Sequence, residues 1–264
     1  TDQDANKLRG IKGFTSLGHF GAVGRAGVGP LLQRQYSDQP PWHLSQRLKR
    51  GLQFFKMLET MAPSKNFFVW KPWVPPLVVA SDGRVDDTGP PTAAYCLVDP
   101  LTAARIGVSV EVPSELLLRW ADRHCFMEVE AIPVVAALLC QPGQFRGRDV
   151  YWFIDNVAAL SAFIRGNSDA IDVDRAAAVV SLAAAWLQAR VWFEYVESDS
   201  NWADELSRGG EQWASSQGFA LRRVEVPAWP WLVGHEAVPR RLAAEFGAAL
   251  EEGGEKSSVG GLLA

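Results

Sequence analysis

The chain has 264 residues, 48% hydrophobic and 21% charged, with a formal net charge of −4. That length suits one large domain or two modest ones, and the composition excludes a disordered chain. No apolar run approaches the ~20 residues that span a bilayer. The N-terminus TDQDANKLRG also lacks the apolar stretch of a secretory signal. Cys96, Cys125 and Cys140 form no CxxC pair and no zinc-like set, so free thiols in a reducing compartment are expected. The expectation is an intracellular protein, nuclear or cytoplasmic, neither secreted nor bound to a membrane. The charge is uneven. Residues 1–72 hold 11 Lys/Arg and 4 Asp/Glu, a net +7, and the remainder carries −11. A basic leading segment suits contact with phosphates.

The first stretch reads as helical. Leu8, Ile11, Phe14 and Leu17 recur every three residues, until Gly18, Gly21, Gly24, Gly27 and Gly29 interrupt the pattern. A second helix is predicted over about 42–61, with Leu44, Leu48, Leu52, Phe55 and Leu58 on one face. Asp38 and the QPP run mark the turn into it. The Pro- and Trp-rich WKPWVPP reads as a linker. Three short strands follow, LVVASDG, TAAYCLVD and ARIGVSVEV, joined by a GPP turn and an Asp99-Pro100 turn. Next come a short helix, PSELLLRWAD, and an apolar one, MEVEAIPVVAALL. DVYWFID is a fourth strand, and NVAALSAFIRG is a helix ended by Gly166. The Ala-rich DVDRAAAVVSLAAAWLQAR is a long helix, VWFEYVES a fifth strand, and NWADELSRG a short helix. A last helix is predicted over 239–250, followed by a disordered tail of about 12 residues. Three adjacent strands can form an antiparallel meander, and strands reached through helices add in parallel. The expected fold is a five-stranded mixed sheet with helices on both faces, preceded by a small helical segment.

Four acids fall where these elements begin or end. Asp82 closes the first strand, Glu130 lies near the start of the apolar helix, Asp155 closes the fourth strand and Asp204 sits in the first turn of the short helix. Each has an ordinary explanation: a turn, a helix-start acid, a helix cap and a capping box. Their combination points elsewhere. Ligands gather at the carboxyl edge of strands in open α/β sheets. Carboxylates a few ångströms apart repel unless a proton or cation intervenes. Hard divalent cations such as Mg²⁺ or Mn²⁺ suit oxygen ligands. Two such ions ~3.5–4 Å apart support in-line displacement at phosphorus, one activating a water and the other stabilising the leaving 3′-oxygen.

Strand-Asp-Gly, helix-Glu, strand-Asp-Asn and a final N-x-x-D together resemble the ribonuclease H domains of retroelement reverse transcriptases. The most specific pieces are YWFIDNVAALSAFIRG, similar to a segment of DIRS-like and related elements, and SDSNWADELSRG, similar to an N-x-A-D-x-L-S-R ending. LRGIKGFTSLGHFGAVGRAGVGPLLQR resembles the segment after a polymerase palm. The resemblance covers about residues 8–210 and divides the chain into three. Residues 1–70 would be a thumb- or connection-like segment, 75–212 the ribonuclease H-like domain, and 213–264 an unplaced extension.

The resemblance implies that Asp82, Glu130, Asp155 and Asp204 hold two ions, Mg²⁺ or Mn²⁺, and are the catalytic residues. Asn156 and Arg208 would contact substrate. The implied activity is cleavage of the RNA strand of an RNA–DNA hybrid, alongside a polymerase domain. The polymerase motif Tyr-x-Asp-Asp is not in this sequence, which suits a fragment or a decayed element. The loop ESDSNWAD also lacks the histidine that many relatives carry there, so either slower turnover or partial substitution by Asp199 is expected. Pro133 is best tolerated in a first helical turn, which puts Glu130 at a helix start and leaves Glu128 as an alternative ligand. Two other functions stay open: a non-catalytic connection-type domain that binds nucleic acid, and an integrase- or transposase-like nuclease of the same fold.

Overall fold

β-branched and small residues between Pro-rich turns pair readily, and the first strand becomes the centre of a sheet. The computed structural model describes residues 1–19, 23–36, 40, 42–61, 73–86, 89–120 and 125–254, the side chains of 13–19 and 247–254 excepted. Helices α1 (Asp2–His19), α2 (Val28–Gln35) and α3 (Gln46–Met61) come first, with a 3-10 turn at Val23–Gly27. Strands β1 (Leu77–Arg84), β2 (Thr92–Asp99) and β3 (Ala104–Glu111) follow. Next are α4 (Ser114–Trp120), α5 (Phe126–Cys140), α6 (Pro142–Phe145), β4 (Asp149–Ile154), α7 (Val157–Arg165), α8 (Ile171–Trp186) and β5 (Arg190–Tyr195). The chain continues through α9 (Trp202–Ser207), α10 (Glu211–Ser216), β6 (Ala220–Glu225), α11 (Trp229–Leu232) and α12 (Val238–Gly254). Among the described residues no helix is long and apolar enough to cross a membrane. The Asp38 turn and the first three residues of WKPWVPP lie outside the described residues, as does nearly all of the tail expected to be disordered.

The sheet order is β5-β4-β1-β2-β3-β6. β1, β2 and β3 form the expected antiparallel meander. β4 adds to β1 in parallel, and β5 to β4. Trp152 sets the register of β4 on β1: it pairs with Val79 and donates its indole N–H to Ser81 Oγ at 2.9 Å. Its ring stacks on Phe145 at 5.7 Å. Apart from Glu128 and Glu130, α5 has no polar face, and Val129 to Leu138 are all buried, as a helix between sheet and second helix layer requires. Four of the alanines of α8 (Ala176, Ala177, Ala178, Ala183) are fully buried, which lets α8 pack closely beside it. α9 and α10 cover the opposite face, with Leu206, Ala214 and Phe219 against Ala94 and Cys96.

The sheet has six strands, not five. β6 pairs in parallel with β3 at the edge. Its sequence ALRRVE is exposed at every position but Val224, so it carries no apolar alternation to read. The C-terminal stretch therefore contributes to the sheet and to the core, where Val238, Leu242 and Phe246 of α12 are buried. The leading helices share that core through Val23, Leu31, Phe54 and Phe55.

One buried carboxylate ties three helices together. Asp172, fully buried, accepts two bonds from Arg119 (3.0 and 2.7 Å), one from the Trp120 indole (3.1 Å) and one from Arg175 (3.2 Å). Arg175 also donates to the carbonyl of Trp231 at 2.6 Å. Removing one partner of such a network strands the others without water. Asp172→Ala is expected to lower unfolding free energy by about 3–5 kcal/mol, read as a lower urea midpoint at unchanged slope.

Candidate metal centre

β1 and β4 are parallel neighbours, so their C-terminal ends meet at one edge of the sheet. Asp82 does not close β1, as the sequence suggested. The strand runs two residues further, and Asp82 pairs with Ala94 in register. Alternation along β1 turns Asp82 to the face covered by α9 and Gly83 to the face covered by α5. Asp155 follows the last residue of β4. It does not cap the next helix. That is done by Asn156, whose side-chain oxygen accepts from the N–H groups of Ala158 (3.1 Å) and Ala159 (3.0 Å).

Glu130 comes from the other face and reaches the same edge because of Gly83. A β-carbon at Gly83 would lie 2.5 Å from the Val129–Glu130 peptide. The missing side chain lets the helix backbone rest directly on the strand backbone. Gly83 N–H then donates to Glu130 Oε2 at 3.2 Å. Pro133 does not mark the helix start. α5 begins at Phe126, which puts Pro133 in its interior. Having no N–H, Pro133 gives no helical bond to the carbonyl of Val129, the same carbonyl that abuts Gly83. Glu130, the fifth residue of α5, is therefore the one aimed at the edge. Glu128, in the first turn, is not part of the cluster.

Asp82, Glu130 and Asp155 each present a carboxylate oxygen within 4.8 Å of the others. Asp82 and Glu130 are buried and Asp155 is half-buried. Each is held by the chain. Ser207 donates its hydroxyl to Asp82 and lies 2.8 Å from the carbonyl of Asp204. The Asn156 amide also favours the charged form of Glu130, so the residue that caps α7 acts on the cluster. Asn201 caps α9 and donates to the carbonyl of Ser81 at 3.1 Å, fixing α9 beside Asp82. Oδ1 of Asp155 is buried and accepts no hydrogen bond.

The fourth predicted acid stands at the rim. Asp204 is the third residue of α9 and half-buried. Its charge acts on Asp82, but it is not among the three that converge. Its carboxylate takes a 2.8 Å bond from Nε of Arg208, whose side chain is otherwise exposed. Asp199 is exposed in the 3-10 turn before Asn201. Ser207 and Asn201 were missed as positioning residues. Both lie in the SDSNWADELSRG motif, which was the available signal.

Packing three acids here has an electrostatic cost. Burial, reinforced by the charges of Asp155 and Asp204, pushes Asp82 up to about 6, although the Ser207 bond pulls the other way. Burial, then the charges of Asp82 and Asp155, pushes Glu130 up to about 9 against the bonds from Gly83 and Asn156. All the converging donors are oxygens, and one is buried without a partner. Such a set fits a hard divalent cation, which would relieve the repulsion.

No family profile matches the chain, and no curated protein matches it. Among solved structures, the chain is similar to the N-terminal RNase H domain of a Mycobacterium tuberculosis protein, solved as a fusion with maltose binding protein. The match has 16% identity and a TM-score of 0.38, and covers 54% of this chain and 97% of that one. The fold assignment rests instead on the strand order. An antiparallel meander, extended in parallel on the β1 side and flanked by helices, makes this a ribonuclease H-like fold.

Two outcomes follow. Gly83→Ala should destabilise the protein by about 1–3 kcal/mol, the usual range for overpacking, and abolish cation binding measured by calorimetry. The second concerns pH in chelator. Raised carboxylate pKa values mean that the folded state keeps protons the unfolded state has released. Stability should therefore fall as pH climbs from about 4.5 toward 9, the upper value set by Glu130. Urea titrations across that range should show the slope in the native protein. The double substitution Asp82→Asn, Glu130→Gln should flatten it, and equal slopes would refute the coupling.

Proposed function

We propose that this chain is a metal-dependent endonuclease that cleaves the RNA strand of RNA–DNA hybrids, the ribonuclease H part of a retroelement reverse transcriptase. One observation carries the reading. Asp82, Glu130 and Asp155 arrive from two strands and a helix, yet their oxygens converge within 4.8 Å. A domain with no cation to hold has no physical need for that arrangement. The retroelement context rests on the motifs YWFIDNVAALSAFIRG and SDSNWADELSRG. A polymerase domain would be the partner in that setting, and the nucleus or cytoplasm the place of action.

Asp82, Glu130 and Asp155 would hold Mg²⁺ or Mn²⁺, and Asp204 would complete the set for a second ion. When bound, such ions lower the pKa of a water nucleophile and neutralise charge on the leaving 3′-oxygen. The chain's own residues position those carboxylates. Ser207 orients Asp82, and Gly83 with Asn156 orients Glu130. Asp155 offers an oxygen already free of protein partners. Arg208 restrains Asp204 at the rim. Hybrid recognition would read A-form-like shape and the 2′-hydroxyl rather than base sequence.

The decisive assay is cleavage of an end-labelled RNA–DNA hybrid with Mg²⁺ or Mn²⁺. The native protein should cut only the RNA strand, and Asp155→Asn should reduce the rate to background. Adding Mn²⁺ should also raise the melting temperature more at pH 8 than at pH 5, where protons already quench the repulsion. No cleavage by the native protein would leave a binding module. Equal cleavage by both proteins would put the reacting site elsewhere.

A further inference from the structure

The acid cluster has an attraction problem. It is negative, and a nucleic acid is a polyanion. The two arginines near it in sequence are each ion-paired through Nε, Arg208 to Asp204 and Arg84 to Asp86 at 2.8 Å. Further cations would aid substrate capture.

A groove of about 1050 Å³ lies between the leading helices and the α7–α8 region, and none of the cluster's acids lines it. Met127 and Ala158 line it. Met127 lies one turn before Glu130 on α5, and Ala158 donates to Asn156, the residue that holds Glu130. One wall is α7 and the start of α8. The other is formed by the leading helices, bonded across to α7 by Arg25, which donates to the carbonyl of Arg165 at 3.1 Å. Arg47, Arg50 and Arg165 line the groove and are exposed. Among the described residues Arg47 meets only the neutral Gln33, at 3.4 Å, while Arg50 forms a loose ion pair with Glu236 at 3.7 Å through Nε. Of the lining acids, Asp174 is engaged by His235 (3.1 Å) and by the Ser168 N–H (2.9 Å), which leaves Asp169 exposed. Tyr36, 75% exposed, adds an aromatic surface. Exposed arginines beside an aromatic, in a groove whose lining includes sequence neighbours of the cluster residues, Met127 and Ala158, match the chemistry of a nucleic-acid backbone track.

The geometry points to this groove as the track for the phosphodiester backbone of one hybrid strand, running away from the scissile bond. The inference rests on the function proposed above and adds that the leading helices form part of the substrate site. Arg47, Arg50 and Arg165 neutralise phosphates, and the acid cluster acts on a strand already anchored.

The test uses the full chain. Binding of a fluorescent RNA–DNA hybrid is followed by anisotropy across a salt series, in the Asp155→Asn background so that nothing is cut. Adding Arg47→Ala, Arg50→Ala and Arg165→Ala should weaken binding about tenfold or more. It should also flatten the log Kd against log salt slope by about 0.9 for each phosphate that is no longer neutralised. Lysine at the same three positions should restore most of that slope. In the otherwise native chain, the alanine triple should raise KM and leave kcat within about twofold. The three side chains are exposed, and an unchanged melting temperature confirms an intact fold. Unchanged Kd and salt slope would overturn the track, while cleavage by the native chain would still stand for the proposed function. The reverse result, arginine-dependent binding with no cleavage by the native chain, would support the track and overturn the nuclease reading. Failure to bind the hybrid at all would overturn the track.

Discussion

The contact between the backbone of α5 and the backbone of β1 at Gly83 governs the rest of the site. Ordinary helix-on-sheet packing keeps side chains between the two backbones. Here one missing methyl removes that spacer, and the Val129–Glu130 peptide lies where a β-carbon would be. The helix can then deliver Glu130 around the end of the strand to acids on the sheet's other side. Pro133 belongs to the same device. It leaves a helix carbonyl without its usual donor at the point of closest approach.

That contact creates an electrostatic problem that the surrounding residues only partly offset. Ser207 and Gly83 N–H each bond to a carboxylate and Asn156 favours the charged Glu130, yet burial and mutual repulsion still raise Asp82 and Glu130. The hydrogen bonds fix where the oxygens point rather than cancel their charge. Full compensation is left to a cation or to protons. A site built this way changes its charge state with pH and ligand while its frame of β1, β4 and α5 stays the same.

Much of the fold was legible because its strands obey simple patterns. LVVAS, YCLVD and YWFI are apolar runs bounded by turns, and each formed a strand in its expected place. β6 was invisible because an exposed edge strand needs no apolar face: ALRRVE joins the sheet only because β3 offers an unpaired edge. Three of the four acids were brought together as their positions on strands and helix implied. The rim position of Asp204 was not legible, since its bond to Arg208 depends on side-chain direction. That Asn156 rather than Asp155 caps α7 was likewise hidden, since either side chain can accept from a helix start. Pro133 misled because its rule assumes a helix complete in itself, whereas here a strand occupies the space beside the freed carbonyl.

The pairing of β6 with β3 bears on how the chain assembles. The two strands lie more than 100 residues apart in sequence, and the C-terminal helix packs near the leading ones through Phe246 and Phe54 in one cluster. Contacts of such long sequence separation close late, after a large loss of loop entropy. Until then β3 presents an open edge of unpaired amides, the surface through which chains associate wrongly. A chain ending near residue 212 would keep every carboxylate of the centre and lose this cover. Its weakness would be aggregation during folding rather than a damaged site.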